Sequence, residues 1–430
     1  MTVPGPDDLE DIQGLIYSAW LDHPHAGFLF ARLGDDPAAA RGWLDTVRRL
    51  VTPAVRHRRR LHGRLQVALS PTGLAALGVP GDVIAMMAPE ATAGMAARRR
   101  VLADTPADAW ELGGPGDRLD ALVMVYTRDA ETLAGELAAQ RHALVAAGAQ
   151  VHADELGSPI GQREHFGFAD GLSQPFIAGV HPRPRPGEDP IPVGEIVLGY
   201  PNAYGRLPMT PIWGDFDLGR NGSYLVFRKL AQDVAGLWRW VADHARRLAA
   251  GDPAMADYLT ELLAAKLIGR WPSGAPLTLA PDRDDRSLAA PERRNCFGYL
   301  EHDRDGLRCP ISAHIRRANP RDARGGSADD SQTVVGRHAV LLARLGAALT
   351  ALRAGFEFIQ QTWLANPGFL GLHCEPDPLL GGAAGQGHFT IPADPIRLRL
   401  TGVPTVVTNR GGGYFFLPSL SALARIAAGP

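Results

Sequence analysis

The chain has 430 residues, more than one ordinary hydrophobic core serves, so two domains or one large duplicated unit are expected, with room to bury a cofactor. A formal net charge of −2 gives no general basic surface for nucleic acid. The three cysteines, Cys296, Cys309 and Cys374, lie too far apart for a C-x-x-C zinc site or a disulfide framework, which fits a reducing compartment.

The first residues, MTVPGPDDLEDIQGLI, carry acids where a signal peptide carries positive charge, and no apolar run in the chain reaches the roughly 18 residues of a membrane span. The expectation is a cytoplasmic protein with neither a membrane nor a nucleic-acid partner. Ala26 to Leu33 and Arg64 to Ser70 read as strands around a helix, Asp36 to Val51, whose apolar positions recur at helical spacing. Asp120 to Arg128 follows as a third strand. Ala130 to Ala147 is a helix closed by Gly148, and Gln150 to Glu155 returns as a strand.

The proline-dense segment His181 to Pro192 cannot enter a sheet interior and marks the boundary between residues 1–185 and 186–430. Beyond it the same grammar recurs. Gly222 to Leu230 is a strand, Gln232 to Ala249 a helix, Ala339 to Trp363 a central block, Gly413 to Ser419 a strand and Leu420 to Ala428 a last helix. Trp271 to Arg294 lacks any period and reads as an excursion loop. The economical interpretation is an α+β fold of two ferredoxin-like halves.

Two stretches carry chemistry. In CPISAHIRRANPRD, His314 offers an imidazole nitrogen to a metal while its other nitrogen bonds an acid or a carbonyl, which lysine and glutamine cannot do. Fourteen histidines make a surface or core role the ordinary reading of any one of them. Arg316, Arg317 and Arg321 follow within seven residues, a concentration of fixed cations suited to the carboxylates of an anionic cofactor; a solvated face or a salt-bridge cluster is the plain alternative. In EHFGFADGLSQP, Asp170 lies between Gly167 and Gly171, where backbone approaches a ligand closely. Its two readings are an Asx turn and a carboxylate that shuttles a proton.

Together these stretches resemble the dye-decolorizing peroxidase family of haem proteins, in its larger bacterial and fungal forms. DIQGLI, GEIVLGYPNAYG, NGSYLVFRKL, FEFIQQTW, DPLLGG and TNRGGGYFFLPS are similar to that family as well, in its order and across nearly the whole chain. The resemblance implies two ferredoxin-like domains with face-packed antiparallel sheets and haem b held mainly by the second. It implies His314 as the proximal iron ligand and Glu375 or Asp377 as the acid behind it. Arg316, Arg317 and Arg321 would meet the haem acids, with Gly167 and Gly171 lining the cofactor. Asp170 would be the distal aspartate that moves a proton between the peroxide oxygens. The implied reaction is oxidation of a small organic donor by hydrogen peroxide through an oxoferryl species.

One segment departs from the family. Its distal arginine belongs to the form N-R-H-R-x-x-R-R-G, and aligning Arg337 and His338 with the family's R-H puts Leu342 and Ala343 where two arginines should stand. A two-residue slip brings Arg344 to the position, so the distal charge is supplied by Arg344, by Arg337 or not at all. Losing one such donor costs on the order of 10²–10³ in rate. Three functions are thus in play: a haem peroxidase, a specialised haem enzyme acting on a defined metabolite, and a non-catalytic haem carrier or sensor. Trp213, Trp238 and Trp271 are read as core or interface aromatics.

Overall fold

The run HAGFLFAR forms strand β1 (His25–Arg32) in the computed structural model of the chain, which describes residues 3–16, 18, 20, 22–55, 63–157, 163–172, 176–181, 190–318, 347–349, 352–381 and 387–430. Helix α1 (Pro37–Arg48), capped by the Asp36 side chain on the Ala38 N–H, leads to β2 (Gly63–Leu69). Strand β3 (Ala121–Thr127), helix α2 (Ala130–Ala146) and β4 (Gln150–Gly157) complete a β-α-β-β-α-β unit with sheet order β4-β1-β3-β2. All pairs are antiparallel, as Phe28 opposite Met124 and Val67 opposite Val123 illustrate. The expected ferredoxin-like first half is present.

The second half supplies β5 (Ser223–Gln232), helices α3 (Val234–Leu248) and α4 (Pro253–Ile268), the one-turn α5 (His314–Ala318) and β6 (Ala347–Leu349). A separate hairpin of β7 (Gly387–Ile391) and β8 (Leu398–Val403) precedes β9 (Val407–Leu417) and α6 (Leu420–Ala428). Strand β9 pairs with β5 on one side and meets β2 at Leu69 opposite Phe416 on the other. The result is one seven-stranded antiparallel sheet, β4-β1-β3-β2-β9-β5-β6.

Because strand side chains alternate, this sheet has two apolar faces. On one, Leu29, Val67 and Val123 pack under Trp43 and Leu44 of α1 and Leu423 of α6. The other face closes on itself: Phe28 and Phe30 of β1 lie 5.5 and 4.8 Å from Phe227 of β5, and Phe30 lies 6.3 Å from Phe415 of β9. The halves therefore pack face to face, as expected, and also share an edge, so the sheet curls. The glycine run in TNRGGGYFF serves this curl. The β9 register shifts between Asn409 and Gly411, and a Cβ on Gly411, whose φ is +134°, would sit 2.0 Å from the Leu112 carbonyl oxygen.

The structure adds to or alters the sequence expectations at four places. The helix after β5 starts at Val234 rather than Gln232, because Asp233 caps it on the Gly236 N–H at 2.8 Å and Gln232 still belongs to the strand. Helix α4 and the β7–β8 hairpin were not expected. Within the central block, the described residues include π-helical turns at 353–357 and 359–364. Residues 182–189 of the expected linker lie outside the described residues. Among the described residues no helix is long and apolar enough to cross a membrane.

Candidate functional site

His314 stands at the first position of α5, on a loop folded around one buried carboxylate. Asp303 accepts the Arg308 and Cys309 N–H groups at 2.8 Å each and Arg316 Nη1 at 3.2 Å. Arg316 also donates to the Cys309 and Asp303 carbonyls at 2.6 and 3.0 Å and lies 4.4 Å over the Tyr299 ring. Lys266 of α4, whose pKa burial lowers, donates to the Arg308 carbonyl. The loop that presents His314 is thus held by two buried cations.

Cys309 lies inside this loop, and burial pushes its thiol up to about 12. Cys296 and Cys374 are exposed. A thiol-specific disulfide reagent at pH 8 is expected to titrate two cysteines in the native protein and three after denaturation. Rapid labelling of all three in native buffer would contradict this packing.

The His314 ring is buried, and its Nδ1 donates to Asp377, 3.1 Å from both carboxylate oxygens. Asp377 Oδ1 also accepts the Leu379 and Leu380 N–H groups at 2.9 and 2.8 Å. Burial alone would raise the Asp377 carboxyl, but His314, then Arg317 and the Leu380 N–H outweigh it and hold the group below its ordinary value. A proton fixed on Nδ1 leaves Nε2 as the lone-pair nitrogen, and no described residue hydrogen-bonds Nε2. This donor fits a single protein ligand to an iron whose equatorial ligands come from a macrocycle. Among the described residues, no group of three His, Cys, Asp or Glu could hold a metal ion.

Of the two acids expected behind His314, the structure places Asp377 there. Glu375 instead accepts the Thr390 N–H at 3.0 Å and the Thr390 hydroxyl, and its carboxylate is 3.9 Å from His388. The arginines also depart from expectation. Arg316 is spent on the loop, and Arg317 donates to the carbonyls of Trp363, Leu364, Asn366 and Glu375. Both guanidinium groups meet carbonyls because the irregular turns at 303–309 and 363–377 leave buried acceptors that no helix or strand satisfies. Arg321, Arg337 and Arg344 lie outside the described residues.

The Asp170 loop is anchored by its neighbours. Phe166 and Phe168 are buried in one apolar cluster with Leu379 and Leu380, the residues whose N–H groups bond Asp377. Glu164 accepts the Phe166 and Phe168 N–H groups at 2.9 Å, Trp238 Nε1 donates to the Phe166 carbonyl at 3.1 Å, and the Ala169 N–H bonds the Pro272 carbonyl at 3.0 Å. Gly167 and Gly171 have φ of +99° and +69°, conformations that favour glycine on both sides of Asp170. Asp170 itself is exposed, with Oδ1 accepting the Gly171 N–H at 2.7 Å. It is a fixed carboxylate on a loop whose footing is the His314 side of the molecule.

A buried ionic cluster escaped the sequence reading. Arg98 holds the Glu357 carboxylate with two hydrogen bonds, Tyr414 donates to Glu357 at 2.9 Å, and Arg228 pairs with Asp104. The only sequence signal was the acid inside the apolar run FEFIQQTW; its partners are 259 and 57 residues away.

No protein-family model matches the chain. It is 31% identical to a dye-decolorizing peroxidase of Mycetinis scorodonius, over 84% of this chain and 76% of that protein. It is 32% identical to a dye-decolorizing peroxidase of Exidia glandulosa, over 84% and 74%. Identity to a multifunctional dye peroxidase of an Amycolatopsis species is 30%, over 92% and 91%. The crystal structure of a fungal DyP-type peroxidase from Auricularia auricula-judae superposes with a TM-score of 0.83 at 27% identity, covering 99% of this chain and 100% of that one. An ancestral D-type dye-decolorizing peroxidase gives 0.80 at 27%, covering 98% and 99%.

Proposed function

The chain belongs to the dye-decolorizing peroxidase family and is a haem peroxidase, and we propose that His314 is its proximal iron ligand and Asp170 the residue that moves the proton during peroxide cleavage. The peroxidase reading stands over the specialised haem enzyme and the haem carrier. The observation that carries the ligand assignment is the buried His314–Asp377 pair, which fixes the imidazole tautomer. The haem, which we take to be haem b, supplies the redox chemistry when bound.

The protein's own part is proton placement and orientation. Asp377 keeps the proton on Nδ1 and thereby raises the donor strength of Nε2. Asp170 accepts a proton from one peroxide oxygen and returns it to the other. It is suited to this because one carboxylate oxygen is fixed by the Gly171 N–H while no described residue bonds the second. Hydrogen peroxide and a small organic donor are the proposed substrates, as the relatives' names support. We further propose ferredoxin-like halves at 1–185 and 186–430, and a cytoplasmic location, which the three free cysteines support.

Adding haem to the protein tests the ligand assignment. The wild type and Asp170→Asn are expected to show the same optical and electron paramagnetic resonance signature of imidazole-ligated ferric iron. His314→Ala should lose it and regain it with free imidazole. An unchanged His314→Ala spectrum would sink the assignment.

A further inference from the structure

Arg317 lies one helical turn beyond His314, so both side chains leave the same face of α5. His314 meets the Asp377 carboxylate, whereas Arg317 reaches the backbone at 363–366 and at Glu375, on the N-terminal side of Asp377. Its Nη1 donates to the Glu375 carbonyl at 2.7 Å, and its other nitrogens hold the carbonyls of Trp363 and Asn366, Nη2 reaching Asn366 at 2.6 Å. The Asp377 N–H closes the same turn on the Leu364 carbonyl at 2.8 Å. The Arg317 side chain stacks 5.0 Å over the Phe369 ring, and the residue is 0% exposed.

The environment of this cation is unusual. Every hydrogen bond it makes to a described residue ends on a neutral carbonyl, while the nearby charges of opposite sign are Asp377 and Glu375. A guanidinium taken wholly out of water is costly without compensating charge, and an anionic Asp377 behind a neutral imidazole has the same need. Each offsets part of the cost of burying the other, with no hydrogen bond between them.

Resting on the reading of His314 as iron ligand, we propose that Arg317 is a positioning residue: it clamps the 363–377 segment so that Asp377 faces His314. Its buried positive charge also lies beside the Asp377–His314 pair, and that fixed charge raises the reduction potential of the iron. The assignment differs from the haem-acid contact that the arginine-rich motif first suggested.

The test is the ferric/ferrous midpoint potential of the haem-loaded protein, read by spectroelectrochemistry. Arg317→Gln keeps hydrogen-bond donors but removes the charge, and its midpoint should move to more negative values. Arg317→Lys keeps the charge and should stay near the wild type. A midpoint unchanged in Arg317→Gln, or moved equally in both variants, would overturn the proposal. If neither variant folds, a crystal structure of the haem-loaded wild type decides: the guanidinium on the Trp363, Asn366 and Glu375 carbonyls supports it, and a guanidinium on a haem propionate overturns it. Loss of the underlying ligand assignment is distinguishable, because it would appear as an unchanged spectrum in His314→Ala.

Discussion

Asp170→Asn is expected to slow the reaction of the haem-loaded protein with a stoichiometric pulse of hydrogen peroxide by about 10²–10⁴-fold, the range of a positioned acid–base group. Asparagine is nearly isosteric and can still accept the Gly171 N–H through Oδ1, so the turn survives. Asp170 is exposed and carries no other hydrogen bond among the described residues, so haem content and melting temperature should match the wild type. What the amide cannot do is take and return a proton. Stopped-flow absorbance in the Soret region gives the rate directly. A variant as fast as the wild type would remove Asp170 from the reaction and leave proton movement to a residue elsewhere.

The second large effect concerns stability. Arg98→Met should destabilise the fold by about 3–5 kcal/mol, the cost of leaving a buried charge without its partner. The penalty falls on Glu357, whose side chain is 1% exposed, whereas Arg98 is 25% exposed and loses less by being replaced. Among the described residues, Tyr414 alone would then hydrogen-bond the carboxylate. The double variant Arg98→Met/Glu357→Leu should recover most of the loss, because it removes the stranded charge rather than half of the pair. Urea unfolding monitored by tryptophan fluorescence checks both. A single variant within about 1 kcal/mol of the wild type would show that the pair is solvated in solution.

What could be read from the residues depended on how local the cause was. Strand β1, helix α1 and helix α2 were legible because period, cap and closing glycine all lie within a few residues. Helix α4 was not: residues 263–268 are all buried, so no polar stripe alternates with the apolar one. The β7–β8 hairpin lies in a segment rich in glycine and proline, and that composition masked its alternation. At the site, His314 and Asp170 stood out through motif context, yet the choice between Glu375 and Asp377 was undecidable. Two acids separated by one proline look alike until the fold turns one to the histidine and the other to Thr390. The arginines misled for a related reason. A run of cations reports available charge, and only the geometry shows that Arg316 holds the Asp303 loop and Arg317 a set of backbone carbonyls.

The shared edge between β2 and β9 has a consequence for how the chain is made. Gln13 donates through its side-chain amide to the Pro418 carbonyl at 2.7 Å, across 405 residues of sequence, and the Ser421 N–H bonds Asp11 at 2.7 Å. Helix α6 packs on α1, covering apolar positions of the first half. Domains commonly fold in order as they leave the ribosome. Here the first half emerges with its sheet edge and one flank of its core open, and both stay open until residues 407–428 have been synthesised. The fold is fastened like a belt, residues 11–13 meeting residues 418–421. The nascent first half must be kept from aggregating until residues 407–428 have emerged and closed that edge.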